Sequence, residues 1–220
     1  MTLRAKAPST VYLLRHAHSV ANERGILAGQ ASGISLSTKG KVQAEDLVQH
    51  LEQLNLMEIH LSPLQRCQET VEPFLKQKPS IATRINDSVI EMNYGDWTGK
   101  KLSFLSRRDL WKEIQARPSH VTFPQGESFL ELQHRAIVAI ENISNVPGNH
   151  LVVSHGDVIR VILNHYLGAH LDDFQRITVD PASISSIRFH NGRVSVQKVN
   201  STSSLTSHSG SALGGGAGKK

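Results

Sequence analysis

Cysteine is nearly absent from this chain: Cys67 is the single one among 220 residues. A lone thiol excludes an internal disulfide framework and a cysteine-based zinc ribbon. It also excludes a cysteine-phosphatase loop, which needs an Arg six residues after its Cys, where this chain has Pro73. Cys67 therefore reads as a core residue on a helix face. Aromatic residues make up only 5% of the chain, so the core is expected to be aliphatic. No apolar run is long enough to span a bilayer, and Met1 to Thr10 lacks the apolar stretch of a secretory signal. These absences lead us to expect a cytoplasmic protein with no membrane association.

Charge is only mildly one-sided, with 24 Lys and Arg against 19 Asp and Glu, a formal net charge of +5. That excess suits an anionic substrate. No long basic run and no interleaving of basic with aromatic residues supports a nucleic-acid partner. Hydrophobic residues at 39% and charged residues at 20% fit a globular protein with one sizeable core. Composition sets no oligomeric state.

The chain is organised around Val11-Tyr12-Leu13-Leu14-Arg15-His16, an apolar strand-forming run that ends at an Arg-His pair. After it comes an irregular stretch to Leu36, then Ser37 as the cap of a helix carrying Val42, Leu47, Leu51 and Leu54 on its core face. A strand over 57–61 leads to Ser62-Pro63, which is expected to open a helix with Ser62 as cap. That helix carries Leu64, Cys67, Val71 and Leu75, and Pro73 is expected to bend it or end it early. A short strand is expected over 81–85, a turn-rich loop over 89–99 and irregular helix over 100–117. Ser128-Phe129-Leu130-Glu131 has capping-box spacing and opens a long amphipathic helix. A buried strand over 150–155 precedes a helix starting at Gly156. Strands over 183–189 and 193–199 flank Asn191-Gly192, a strong hairpin signal. Alternating strands and helices predict an α/β fold, a helix–sheet–helix sandwich with a largely parallel sheet made mixed by the closing hairpin. Residues 1–200 form one expected domain. In residues 201–220, 11 of 20 positions are Ser or Gly, and we expect a disordered tail there.

Several chemistries are excluded by spacing. The segment Gly95-Asp96-Trp97-Thr98-Gly99-Lys100 has one residue too few for a P-loop, and Lys101 follows where Ser or Thr is required. Neither a G-x-S-x-G elbow nor an H-E-x-x-H pair occurs. His16 and His18 could share a strand face, but no carboxylate cluster accompanies them, so no metal site is expected there. Four polar groups remain, each at or just past the C-terminal end of an expected strand: Arg15-His16, Arg66, Glu91 and His155-Gly156. Each alone has a structural explanation, as a strand cap, a surface Arg, a loop acid and a satisfied core His. Parallel strands bring their C-terminal ends to one side of a sheet, where together these groups make a phosphate site with an acid beside it.

Leu14-Arg15-His16-Ala17, Ser62-Pro63-Leu64-Gln65-Arg66-Cys67-Gln68-Glu69-Thr70, Glu91-Met92-Asn93-Tyr94-Gly95-Asp96-Trp97-Thr98-Gly99, Gly126-Glu127-Ser128 and Ser154-His155-Gly156-Asp157-Val158-Ile159-Arg160 resemble, in order, the blocks of the histidine phosphatase superfamily, which includes the cofactor-dependent phosphoglycerate mutases. The resemblance runs from about residue 10 to 195. It implies a three-layer α/β/α sandwich on a six-stranded, mostly parallel sheet. It also implies that a neutral His16 attacks phosphorus and becomes a phosphohistidine, with Arg15, Arg66 and a charged His155 around it. Asn22 and backbone N–H groups near Ala28, Gly29 and Gly156 are implied as further phosphate ligands, and Glu91 as the proton donor. No metal is required, and no cofactor, except a bisphosphorylated primer if the protein is a mutase.

The chain departs from the family pattern at Ala17, where Gly is usual, and at His18, where Glu or Gln is common. Arg107 and Arg108 either bind a second anionic group or form a solvated helix face. Trp97, Phe104 and Trp111 either line an apolar pocket or pack the core. The short segment between Glu91 and Gly126, with no basic residue directly after Glu91, favours a phosphomonoester hydrolase acting on a small phosphorylated metabolite. A phosphoglycerate mutase or other phosphomutase is the alternative, and a non-catalytic phospholigand-binding module the second.

Overall fold

A computed structural model describes residues 7–202. The first strand, β1 (Ser9–Arg15), is followed by a single turn, α1 (Val20–Glu23), and by α2 (Thr38–Glu52). Then come β2 (Glu58–Leu61), α3 (Gln65–Gln77) and β3 (Ala82–Ile85). Two short helices, α4 (Leu102–Leu105) and α5 (Asp109–Ala116), precede the long α6 (Phe129–Ser144). The chain closes with β4 (Gly148–Ser154), α7 (Gly156–Tyr166), β5 (Ile184–His190) and β6 (Arg193–Ser201). The strands form one six-stranded sheet in the order β3-β2-β4-β1-β5-β6. β3, β2, β4 and β1 are parallel, whereas β5 runs antiparallel to β1 and β6 antiparallel to β5. The expected mixed α/β/α sandwich is the observed one.

Alternation along the central strands divides the apolar side chains between two cores. Val11 and Leu13 of β1 and Val152 of β4 join α6 and α7 on one face. Leu14 of β1 and Leu151 and Val153 of β4 join α2 and α3 on the other. The chain leaves β1 for β2 on the α2 side and leaves β4 for β5 on the α7 side. The connections therefore part above the adjacent ends of β1 and β4, where an open α/β sheet has its crevice.

Local chemistry explains most boundaries. Ser37 Oγ accepts from Gly40 N–H and caps α2. Ser128 and Glu131 form the expected capping box at α6, with Glu131 N–H donating to Ser128 Oγ and Ser128 N–H donating to the Glu131 carboxylate at 2.7 Å. Asn191 and Gly192 both have positive φ, 49° and 71°, which gives the β5–β6 hairpin its turn.

Four local expectations need correction. Val42 lies on the solvent side of α2, 58% exposed, because Gly40, Ala44, Leu47, Val48 and Leu51 supply the core face. Helix α3 starts at Gln65, after Leu64, since the Ser62 hydroxyl is committed to His155 rather than to a cap. The same helix continues through Pro73 to Gln77, so of the two alternatives for Pro73 the early end is the one excluded. Strand β6 runs to Ser201, one residue into the segment assigned to the tail; the rest of that segment, from residue 203, lies outside the described residues.

Candidate active site

β1 and β4 are in register, Arg15 beside Ser154, so the next residues, His16 and His155, emerge together. His16 N–H donates to the Ser154 carbonyl at 2.9 Å, which holds the pair of strand ends shut. The His16 ring is buried, and its Nδ1 lies 2.8 Å from the Ala17 carbonyl. A carbonyl only accepts, so Nδ1 carries the proton and Nε2 keeps its lone pair. Burial, then the charges of Arg66 and Arg15, hold the His16 pKa well below the ordinary histidine value. The ring is therefore neutral at physiological pH, with the Nε2 lone pair available.

Arg66 is buried and Arg15 half-buried against it. Arg66, 1% exposed, rises from the first turn of α3 and donates through Nη2 to the Gly29 carbonyl at 2.8 Å. Its Nε and Nη1 have no partner, and neither does Arg15 Nε. Buried donors are almost always satisfied, so three unpartnered nitrogens on these two guanidinium groups mark the place of an anion. Arg15 is anchored by Nη1 to the Val179 carbonyl at 2.6 Å. Its guanidinium lies against Gly156, where a Cβ would stand in contact, 3.4 Å from Arg15 Cζ and Nε.

Glu91 is 8% exposed, and burial, then repulsion from Asp157, pushes its pKa up to about 7. Its Oε1 accepts from Met92 N–H at 3.0 Å, and its Oε2 is 3.9 Å from His155 Nδ1. A carboxyl poised there can give a proton and take it back near neutral pH. The Glu91 carbonyl is held by Gln30 and by Arg135, which also binds the Ser88 and Ile90 carbonyls and pairs with Glu127 at 2.7 Å. Glu127 in turn accepts from Asn93 N–H. The acid segment is thus clamped from behind. Gly126 lets the clamp close, because a Cβ there would overlap the Asn93 carbonyl.

A cavity of about 300 Å³ opens over these groups. Arg15, His16, Asn22, Ala28, Gly29, Arg66, Glu91 and Gly156 all line it, as expected. Asn22 Oδ1 is committed to Ser19 N–H and Oγ, which leaves its Nδ2 group for a ligand. Gly29 presents its carbonyl to Arg66, so it braces that arginine. His155 lies one layer deeper, fully buried, with its ring 5.2 Å from that of His16. The expectation of a charged His155 is corrected. Arg66 Nη2 points at its Nδ1 from 3.1 Å, and Arg can only donate, so Nδ1 must accept. Burial, then Arg66, hold its pKa well below the ordinary value. The remaining proton sits on Nε2 and is donated to Ser62 Oγ at 2.7 Å.

Trp97 and Trp111 do line the pocket, stacked at 13° with centroids 6.3 Å apart, whereas Phe104 is exposed and lies under Arg108. Arg107 and Arg108 are exposed and take the solvated alternative. Sequence reasoning missed Tyr94, Asp157 and Arg160 as site residues. Tyr94 donates to Asp157 at 2.7 Å, and Asp157 pairs with Arg160 at 3.1 Å. The spacing of Asp157 and Arg160, one turn apart on the helix after His155, was the available signal. Besides Trp97 and Trp111, three aromatics that were not anticipated also face the cavity: Tyr94, Phe123 and Phe129.

The sequence model of the histidine phosphatase superfamily (branch 1) matches residues 11–202. The chain belongs to the histidine phosphatase superfamily. Among its relatives in that superfamily is a probable phosphatase of Schizosaccharomyces pombe, 31% identical over 71% of this chain and 73% of the relative. Another is a probable phosphoglycerate mutase of Erwinia tasmaniensis, 28% identical over 80% of this chain and 83% of the relative. The fold matches that of the alpha-ribazole phosphatase from Shigella flexneri with a TM-score of 0.79, at 24% identity, over 89% of this chain and 98% of that one. No helix among the described residues of this histidine phosphatase is long and apolar enough to cross a membrane.

Proposed function

We propose that this histidine phosphatase hydrolyses a small phosphomonoester through a phosphohistidine at His16. The observation that carries the reading is the set of unpartnered N–H groups on Arg15 and Arg66 around a neutral ring whose Nε2 is free. In the first step the Nε2 lone pair bonds to phosphorus, the P–O ester bond breaks, and the departing alkoxide takes the proton of Glu91. In the second step the Glu91 carboxylate takes a proton from water, the hydroxide bonds to phosphorus, and the N–P bond breaks. Inorganic phosphate leaves, and both groups return to their starting states. Arg15, Arg66, Asn22 Nδ2 and the N-terminus of α7 at Gly156 hold the non-bridging oxygens. The arginines supply the positive charge, so the reaction needs neither metal nor organic cofactor. Its setting is the cytoplasm, in keeping with the single unpaired Cys67.

Hydrolysis is favoured over phosphoryl transfer to a second substrate by the cations of the cavity. Among the described residues lining it, Arg160 is the one cation beyond Arg15 and Arg66, and it is committed to Asp157 and to the Ile177 carbonyl at 3.1 Å. A second phosphate would have to compete with Asp157 for that one cation. The wall beyond the phosphate is apolar, formed by Leu27, Trp97, Trp111, Ile114 and Phe123, and suits a leaving group with a ring or hydrocarbon surface.

The test is a panel of an aryl phosphate, phosphoserine and 3-phosphoglycerate, each with and without a bisphosphorylated primer. The expected result is phosphate release, fastest in kcat/KM from the aryl ester, and an acid-labile phosphoryl adduct that His16→Ala abolishes. Transfer without phosphate release would make the protein a mutase. Tight binding with no turnover and no adduct would make it a phospholigand-binding module.

A further inference from the structure

A second cluster of chemistry-bearing side chains lies at the other end of the sheet. Glu58 and His60 share one face of β2, and His150 stands opposite Glu58 on β4. One ligand atom from each of the three lies within 4.8 Å of the others. His60 Nε2 is 3.3 Å from Glu58 Oε2. That is close to the separation of two ligands on one tetrahedral ion with bonds of about 2.1 Å.

Both histidines are buried, 8% and 1% exposed, and each keeps a ring nitrogen without a hydrogen-bond partner: Nε2 of His60 and Nδ1 of His150. His150 Nδ1 has no partner and His60 Nε2 faces only the Glu58 carboxylate, an unusual arrangement for a folded interior. The His150 ring is fixed by its Nε2–H, which donates to the Val146 carbonyl at 2.9 Å and leaves Nδ1 as the basic nitrogen. Metal-binding imidazoles are oriented in this way, by a carbonyl on the far nitrogen. Glu58 divides its oxygens: Oε1 accepts from Arg84, and Oε2 faces His60. Arg84 can stay in place while Oε2 is used. A cavity of about 240 Å³ opens beside the cluster, with Glu58, His60, Asn86, Ser88 and Asn142 on its polar side. It gives an ion access and leaves room for water.

The geometry points to a divalent transition-metal site formed by Glu58, His60 and His150, with water as the fourth ligand. Two imidazoles and a carboxylate suit Zn²⁺, Cu²⁺ or Ni²⁺ rather than Mg²⁺ or Ca²⁺. His150 and His155 are the two ends of one extended stretch on β4, so the site is roughly 16 Å from the catalytic end at about 3.3 Å per residue. At that distance the ion takes no part in phosphoryl transfer. Its ligands come from β2 and β4, so binding clips two adjacent strands and stabilises the sheet.

The experiment titrates Zn²⁺ into the metal-stripped full chain against a chromophoric chelator and follows Tm. Wild type is expected to bind one equivalent with a rise in Tm. His60→Gln and His150→Ala should lose that equivalent, and Glu58→Gln should weaken it at least ten-fold. Circular dichroism of the metal-free variants checks that each is folded. His16→Ala should keep the equivalent, and Co²⁺ should give the visible absorption of a tetrahedral nitrogen-oxygen site in wild type and in His16→Ala. No tight equivalent in wild type would overturn the proposal. So would unchanged stoichiometry in folded His60→Gln and His150→Ala, or loss in His16→Ala alone, which would place the ion at the catalytic histidines.

Discussion

Replacing Glu91 with Gln should abolish turnover and make the protein more stable above neutral pH. Burial and Asp157 hold the Glu91 pKa at about 7 in the folded chain, against an ordinary 4.5. The folded state therefore binds this proton more tightly than the unfolded state does. Stability then falls as pH rises from about 4.5 to about 7, the interval in which the unfolded chain has released the proton and the folded chain still holds it. At about 1.4 kcal/mol per factor of ten, the loss above pH 7 is about 3 kcal/mol. Gln keeps the neutral shape and an oxygen for Met92 N–H, so it escapes that loss. Urea unfolding at pH 8 should show Glu91→Gln more stable than wild type by about 3 kcal/mol, and at pH 5 by about 1 kcal/mol or less. The protonated form is also the catalytic acid, so kcat/KM of wild type should fall as pH rises through about 7. Equal stabilities at pH 8, or a difference that does not shrink on acidification, would refute the assignment of Glu91 as a carboxyl strained by its surroundings.

Other substitutions probe the remaining parts of the site. Arg66→Met should lower kcat/KM by about 10²–10³-fold with little loss of Tm, because two of its buried donors have no partner in the free protein. Steady-state kinetics beside a thermal melt reads both. Arg135→Met breaks the pair with Glu127 and releases three carbonyls around Glu91. We expect a stability loss of about 3 kcal/mol by urea unfolding and a kcat about 10–100-fold lower, with KM nearly unchanged. Gly126→Ala should force the Asn93 segment away and cost about 1–3 kcal/mol in a denaturant melt. Trp111→Ala should raise KM for an aryl phosphate several-fold while leaving that for phosphoserine almost unaltered.

The convergence of Arg15, His16, Arg66 and His155 was legible because each is tied to a strand end or helix start that the hydrophobic pattern marks. Arg15-His16 ends an apolar run, and His155 ends another; parallel pairing of β1 and β4 does the rest. The family blocks then supplied roles that spacing alone left open. What escaped were facts set by tertiary contact. The charge of His155 depends on Arg66, which is 89 residues away in sequence and points a donor at its Nδ1. Ser62 looked like a cap because capping motifs are local, yet its hydroxyl is taken by His155 across the sheet. Val42 fell on the wrong face because Gly40 approaches the His18 carbonyl too closely for any side chain and turns the helix by that contact.

The two tryptophans and Phe123 belong to one continuous insert between β3 and α6, whereas His16, Arg66 and His155 hang from the sheet and the helix behind it. Glu91 opens that same insert but precedes residue 95, so bond-making and ligand choice are still carried by separable stretches of chain. Exchanging residues 95–123 for a loop of another shape could redirect the enzyme to a new ester while the reaction itself is left alone. A fold wired in this manner can acquire new diets without relearning how to digest.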